Sequence, residues 1–313
     1  MIHVRAVSPP DITPDALEAL GRNTGVLNLV HFPAASRIPK GDAFQFDVIT
    51  AEANQVLRIL RDLQIDRQGS IMIDTVETSI SDAVARAEGR EPPGKDFSPV
   101  WERVDATMRS MGTYPPSWHI LLIIAGLIAV VGIVTNSEIL IVGAMVVGPE
   151  YGAITSMALG INKRDHRRIR EGLRALLIGF SLAIVACLLF GLIINGLNLQ
   201  DQAYTHGTRP VSDLINSPDF YSVIIALLAG IVGIVSLAEA RIGTLTGVFI
   251  SITTIPAAAD IGLSMSFGFW NEAWGSFIQL LVNVVVLIVT GGVTLALVRR
   301  FWSRRTAMAG RRS

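Results

Sequence analysis

Cysteine is nearly absent: the one residue, Cys187 among 313, excludes an intrachain disulfide and offers no cysteine metal cluster. It lies in an apolar run and reads as a small buried hydrophobe. Histidine is sparse as well, and His119, His166 and His206, those of the apolar part, are not spaced to hold a metal from one helix. Whether another kind of metal site exists is left open. No glycine fingerprint or nucleophile–base pair stands out, so neither a cofactor nor an enzyme is expected. Net charge is lacking too, with 26 Lys+Arg against 26 Asp+Glu, which argues against bulk affinity for nucleic acid. Met1 to Pro10 lacks a long apolar core, so the N-terminus is expected to stay in the cytoplasm.

What is present divides unevenly. Residues 1–117 hold 12 Lys+Arg and 16 Asp+Glu with no apolar run longer than a strand. Residues 118–313 hold 14 and 10, with long stretches free of charge. The first part reads as soluble and the second as a membrane domain.

In the soluble part, "IHVRAV" (2–7), "GVLNLVHF" (25–32), "AFQFDVI" (43–49) and "SIMIDTVET" (70–78) read as strands. Phe44, Phe46 and Val48 alternate with Gln45 and Asp47, the period of a half-buried strand. Helices are expected after "SPPDITP" and from Thr50, read as a cap, with Val56, Leu57, Leu60 and Leu63 on one stripe. The order is βαββαβ within residues 1–80, a ferredoxin-like α+β unit. His3 and His31 read as strand residues. Residues 81–97 read as a linker, and 98–111 as an amphipathic helix at the membrane interface, with Val100, Val104 and Met108 on one face. The linker and this helix together occupy 81–117.

Apolar segments at about 118–135, 138–160, 174–196, 221–238, 242–266 and 275–298 are each long enough for a bilayer core of about 30 Å, which takes about 20 residues. They define an α-helical polytopic domain of six spans over 118–298. Arg164, Arg167, Arg168, Arg170 and Arg174 crowd the 161–174 connection, and a basic tail occupies 299–313. The opposite connections hold only Arg209, so the positive-inside rule places both termini in the cytoplasm. Anionic lipid headgroups are the expected partners of the basic connection.

Sliding the membrane domain along itself by 104 residues lays "AGLIAVVGIVT" from Ala125 on "AGIVGIVSLAE" from Ala229, and Gly143 on Gly247. Each copy, about 118–197 and 221–298, has a span, a tight turn and a second span interrupted by proline: "GPE" (148–150) and "TTIPAAAD" (253–260). Two units of three spans enter the membrane from opposite sides, the inverted-repeat plan of many transporters with broken helices. A mid-span proline frees a carbonyl that hydrocarbon tolerates poorly. Gly148, Pro149, Pro256 and the carboxylates Glu150 and Asp260 are therefore the candidate solute or ion site, with Tyr151, Ser251, Thr253 and Thr254 as further oxygen donors. Each hydroxyl residue also has the alternative reading of a packing or back-bonding group.

"NSEILIVGAMVVGP" (136–149), with its Asn136-Ser137 turn, Gly143-Ala144-Met145 core and mid-span proline, resembles an uncharacterised prokaryotic membrane family, domain of unknown function 389. "GTLTGVFISITTIPAAADIG" (243–262) resembles its second signature. The resemblance covers about 115–265 and implies the prokaryotic cytoplasmic membrane; it implies no substrate. The chain departs from the pattern at Glu150-Tyr151-Gly152, where a second proline is usual, and at Pro256, where a pair is usual.

The expected function is transport, by carrier or channel, of a cation, a proton-coupled solute or another small solute. The alternative is a metabolite-sensing regulatory membrane protein. A homo-oligomer is expected, because six short spans make a thin bundle and the N-terminal sheet has free edges.

Overall fold

The computed structural model describes residues 1–76, 100–200, 210–217, 219–239, 247–248 and 253–309. The expected linker at 81–97 and Ser251 lie outside these residues. Two compact units divide the chain, Met1–Val104 and Asp105–Ser313.

The first unit comprises β1 (Ile2–Ser8), α1 (Thr13–Gly21), β2 (Val26–Arg37), β3 (Lys40–Val48), α2 (Thr50–Asp62), α3 (Ile65–Gln68) and β4 (Ser70–Thr75). The sheet order is β2-β3-β1-β4, and every neighbouring pair is antiparallel. The alternation in β3 does what period two requires: Phe44, Phe46 and Val48 are fully buried with Val4 and Ala6 of β1. They meet Ala16 and Leu20 of α1 and Val56, Leu57 and Leu60 of α2, with Leu63 at the margin. Val100 belongs to this same core. Ile49 occupies the cap position of α2 and Thr50 its first turn, so Thr50 does not take the capping place the sequence assigned it. His3 and His31 each face a strand carboxylate, Nδ1 to Asp47 Oδ1 at 2.8 Å and Nε2 to Asp42 Oδ2 at 3.3 Å. The Ala34 N–H donates to Asp42 Oδ1 at 2.7 Å and, with His31 beside it, holds that carboxyl below its usual range.

The boundary between the units falls inside α4 (Trp101–Ser110). The second unit continues with α5 (Pro116–Val134), α6 (Glu138–Val147), α7 (Glu150–Lys163), α8 (His166–Gly196), α9 (Pro210–Asn216), α10 (Phe220–Ala238), α11 (Thr254–Ser266) and α12 (Trp270–Ala309). Among the described residues four helices, α5, α8, α10 and the stretch Trp270–Phe301 of α12, are long and apolar enough to cross a membrane. The pair α6 and α7 passes the same test as one span bent by 49°. The segment expected as a span at 242–266 is described only at 247–248 and from 253 onward.

The element boundaries carry the 104-residue offset. Starts at 116, 150 and 166 recur at 220, 254 and 270, and the end at 134 recurs at 238. Among the described helices of the second unit, the short helices α7 and α11 are the most buried, with nearly every residue from Glu150 to Gly160 and from Thr254 to Leu263 covered. The long helices instead expose apolar side chains such as Leu177, Leu189, Leu281 and Val289, as a surface facing lipid would.

Small residues let the central helices approach their neighbours. Gly262 of α11 packs on Ile184, Cys187 and Leu188 of α8, and Gly291 of α12 faces Ala158 of α7 at the 104-shifted positions of Cys187 and Gly262. Next to Gly291, the Gly292 carbonyl accepts from Asn162 Nδ2 at 2.8 Å. Cys187 itself is fully buried.

Two expected features take other forms. The 161–174 connection is a short turn, Arg164 (φ 56°) and Asp165, followed at once by α8, so Arg167, Arg168, Arg170 and Arg174 lie on that helix. Asp165 caps it, accepting from the Arg168 N–H at 3.2 Å, and this bond with the Arg168 guanidinium keeps the carboxyl below its usual range. Lys163, beside the turn, pairs with Asp105. The expected tail likewise begins as helix, since α12 continues to Ala309.

Candidate functional site

The family-like signature has a local cause at each position. Asn136 adopts φ 52°, a left-handed conformation that asparagine tolerates, and Ser137 caps α6 by accepting from the Leu140 N–H at 3.5 Å. Ala144 and Met145 point inward, while Gly143 lies exposed. Gly247, its counterpart 104 residues on, is exposed in the same way.

The chain then breaks at Gly148-Pro149, between α6 and α7. The Pro149 carbonyl accepts the Trp118 indole N–H at 3.2 Å, so protein takes up one carbonyl at the break. Glu150 opens α7, and only 5% of its surface is exposed. Its Oε1 accepts from the Thr254 hydroxyl at 2.8 Å, across 104 residues of sequence. The two residues that bond are thus counterparts under the repeat offset. Glu150 Oε2 is buried with no hydrogen-bond partner among the described residues. Tyr151 is buried, and its hydroxyl fills the space that Gly233 leaves by having no side chain. A cavity of about 340 Å³ is lined by Trp118, Leu121, Gly148, Pro149, Tyr151 and Gly152, among others.

The segment 104 residues further on differs in chemistry. Pro256 is not at a break; it lies in the first turn of α11, where a missing N–H would have no intrahelical partner anyway. The residue 104 positions after Pro149 is Thr253. Its Oγ1 accepts from Asn283 Nδ2 at 2.8 Å and lies 3.4 Å from Gln279 Nε2. Gln279 Oε1 is buried without a partner among the described residues. Asp260, fully buried, accepts from Ser212 of α9 at 2.7 Å and from Ser276 of α12 at 2.6 Å.

Glu150 and Asp260 therefore have separate partners. Six residues of α11 separate Thr254 from Asp260, a rise of about 9 Å. Among the described residues of this unit they are the two buried side chains of charged type, and no three His, Cys, Asp or Glu gather to hold a metal.

Ser276, Gln279 and Asn283, at intervals of three and four, form one polar face of α12, and all three are buried. In the sequence this stretch stands only as part of the apolar segment at about 275–298. The readable signal was the spacing of three hydrogen-bonding side chains within an otherwise apolar run. The positions 104 residues earlier are Gly172, Ala175 and Gly179, where Met157 and Trp118 pack against the two glycines.

These features define a helical protein with candidate membrane spans and a polar, acid-bearing interior. Residues 145–289 match the model of the family described as Domain of unknown function (DUF389). An uncharacterized protein of Methanocaldococcus jannaschii is 24% identical over 168 residues, covering 54% of this chain and 50% of the relative. The match thus spans about half the length of that curated relative. No solved structure matches.

Proposed function

We propose that the chain is a membrane transport protein, moving a cation, a proton-coupled solute or another small solute through the junction of its two interrupted segments. The observation that carries this reading is Glu150: a buried carboxylic acid at a helix break, bonded to Thr254, its own counterpart under the repeat. Ionisable residues at membrane depth are costly and mark transport paths by default.

The reading takes the membrane domain as six spans in two inverted repeats, the span at 242–266 included. Three observations support it. The helix starts recur at a constant offset. Contacts recur at shifted positions, as with Gly262 on Cys187 and Gly291 on Ala158. And α7 and α11 leave the Glu150–Thr254 contact toward different levels of α12, Ala158 lying at Gly291 and Asp260 at Ser276. Those levels are fifteen residues apart on α12, about 22 Å.

In this reading the N-terminal unit is a ferredoxin-like regulatory module, both termini are cytoplasmic in a prokaryotic inner membrane, and Arg164, Arg167, Arg168 and Arg170 meet anionic headgroups. The protein works as a homo-oligomer.

The test is flux in proteoliposomes holding the purified full chain, with Na⁺, K⁺, H⁺ and Ca²⁺ gradients imposed in turn. Protein-dependent dissipation of at least one gradient is the expected result. Tight vesicles under all four would overturn the cation-linked form of the proposal.

A further inference from the structure

Buried hydrogen-bonding groups without partners cost about 1–3 kcal/mol each if the site is dry. In native proteins they mark places where water or an ion completes the set. Two such atoms, Glu150 Oε2 and Gln279 Oε1, belong to one neighbourhood. Glu150 bonds Thr254, and Gln279 lies beside Thr253, the preceding residue. Thr253 is also held by Asn283, while one turn back along α12 from Gln279, Ser276 bonds Asp260. Asp260 in turn bonds Ser212 of α9. From Ser276 to Asn283 the polar face covers about 10 Å of α12. The row carries carboxyl, hydroxyl and amide groups; the amide N–H groups of Gln279 and Asn283 are turned to Thr253, Gln279 Oε1 is left without a partner among the described residues, and the charged members are both acids.

We infer that the polar face of α12, with Asp260 and Thr253, forms a hydrated half-path that leads from the α9 side to Glu150 and admits small cations rather than anions. This rests on the transport reading for its role and deepens it by naming the charge class of the solute. Oxygen donors suit hard cations, and among the described residues no lysine or arginine is buried along the row to receive an anion. The half-path belongs to the second copy alone. Its counterpart positions Gly172, Ala175 and Gly179 carry no hydrogen-bonding side chain. On that side the about 340 Å³ cavity lined by Trp118, Gly148 and Pro149 lies against the first break instead. The two flanks of Glu150 are therefore built differently, one as a row of polar side chains and one as a mostly apolar cavity.

The single native cysteine makes this testable without reference to flux. In a Cys187→Ala full-length background, Gln279→Cys, Ser276→Cys and the exposed-face control Leu281→Cys are each reconstituted. Each is treated with a small permanently cationic methanethiosulfonate and with its anionic analogue, and rates are normalised to those of a free thiol. Thiolate reactivity requires water at the sulfur. Gln279→Cys and Ser276→Cys are expected to react with the cationic reagent at least about tenfold faster than Leu281→Cys, and about tenfold faster than with the anionic reagent. Ser276→Cys, the smaller change, preserves the test if Gln279→Cys fails to assemble. Rates equal to the Leu281→Cys control, or equal for both reagents, would overturn the half-path. Reactive cysteines without flux would leave the half-path standing and remove transport. Flux with unreactive cysteines would do the reverse.

Discussion

Gly262→Ala is expected to destabilise the membrane unit by about 3 kcal/mol, while Gly291→Ala leaves it unchanged or slightly more stable. Both glycines lie where a central helix crosses a long one. A Cβ on Gly262 would stand 2.5 Å from the Ile184 carbonyl oxygen and 2.7 Å from both the Leu188 nitrogen and Cys187 Cβ. Two of those atoms are backbone, so no rotamer change relieves the collision and α8 must move away from α11. At Gly291 the same added Cβ would meet Ala158 Cβ at 3.5 Å and the Ile234 side chain at 3.7 Å, ordinary contacts. Alanine also forms helix more readily than glycine by about 1 kcal/mol. Thermal unfolding of the full chain in detergent should show the apparent midpoint of Gly262→Ala reduced by about 6–12 °C. A Gly262→Ala midpoint equal to wild type would contradict the close α8–α11 crossing.

Thr254→Val is expected to cut transport about tenfold or more, and Thr254→Ser to preserve most of it. Valine keeps the volume and removes the hydroxyl that Glu150 Oε1 accepts. Oε1 would then lose the hydroxyl it accepts, beside an Oε2 that already has no partner among the described residues. A loss of about 1–3 kcal/mol in positioning the carboxyl corresponds to about five- to 150-fold in rate. Thermal unfolding of the same preparations separates this from misfolding, because a transport defect at unchanged midpoint belongs to the site. Wild-type flux in folded Thr254→Val would detach the bond from the mechanism.

Much of this arrangement is legible in the sequence, because hydrophobic period and breaker residues act locally. The βαββ start of the N-terminal unit follows from Phe44, Phe46 and Val48 alternating against polar neighbours. The 104-residue offset follows from glycine and proline positions and reappears in the helix starts at 220, 254 and 270. Other features depend on which face of a helix meets which neighbour, and a linear reading does not hold that information. Glu150 and Asp260 looked like a pair because each lies near a proline, yet the counterpart of Glu150 is Thr254 and that of Asp260 is Ser156. Pro256 looked like the second break, but a proline three residues into a helix is as compatible with a helix start as with an interruption. Gln279 and Asn283 were hidden by the high mean hydropathy of their span, although each is as buried as the core leucines. The arginines of the 161–174 segment count alike under the positive-inside rule whether they lie in a loop or on α8, so charge counting could not tell the two apart.

The most direct test of the central claim, that a buried carboxyl at the first helix break lies on the solute path, is the initial rate of cation flux in matched proteoliposomes of wild type and Glu150→Gln. Glutamine keeps the size of the side chain and an oxygen for Thr254 to donate to, while removing the ionisable group. The account predicts flux in wild type and at least about a hundredfold less in Glu150→Gln, with both proteins equally folded. Equal flux in the two would place the path elsewhere and contradict it.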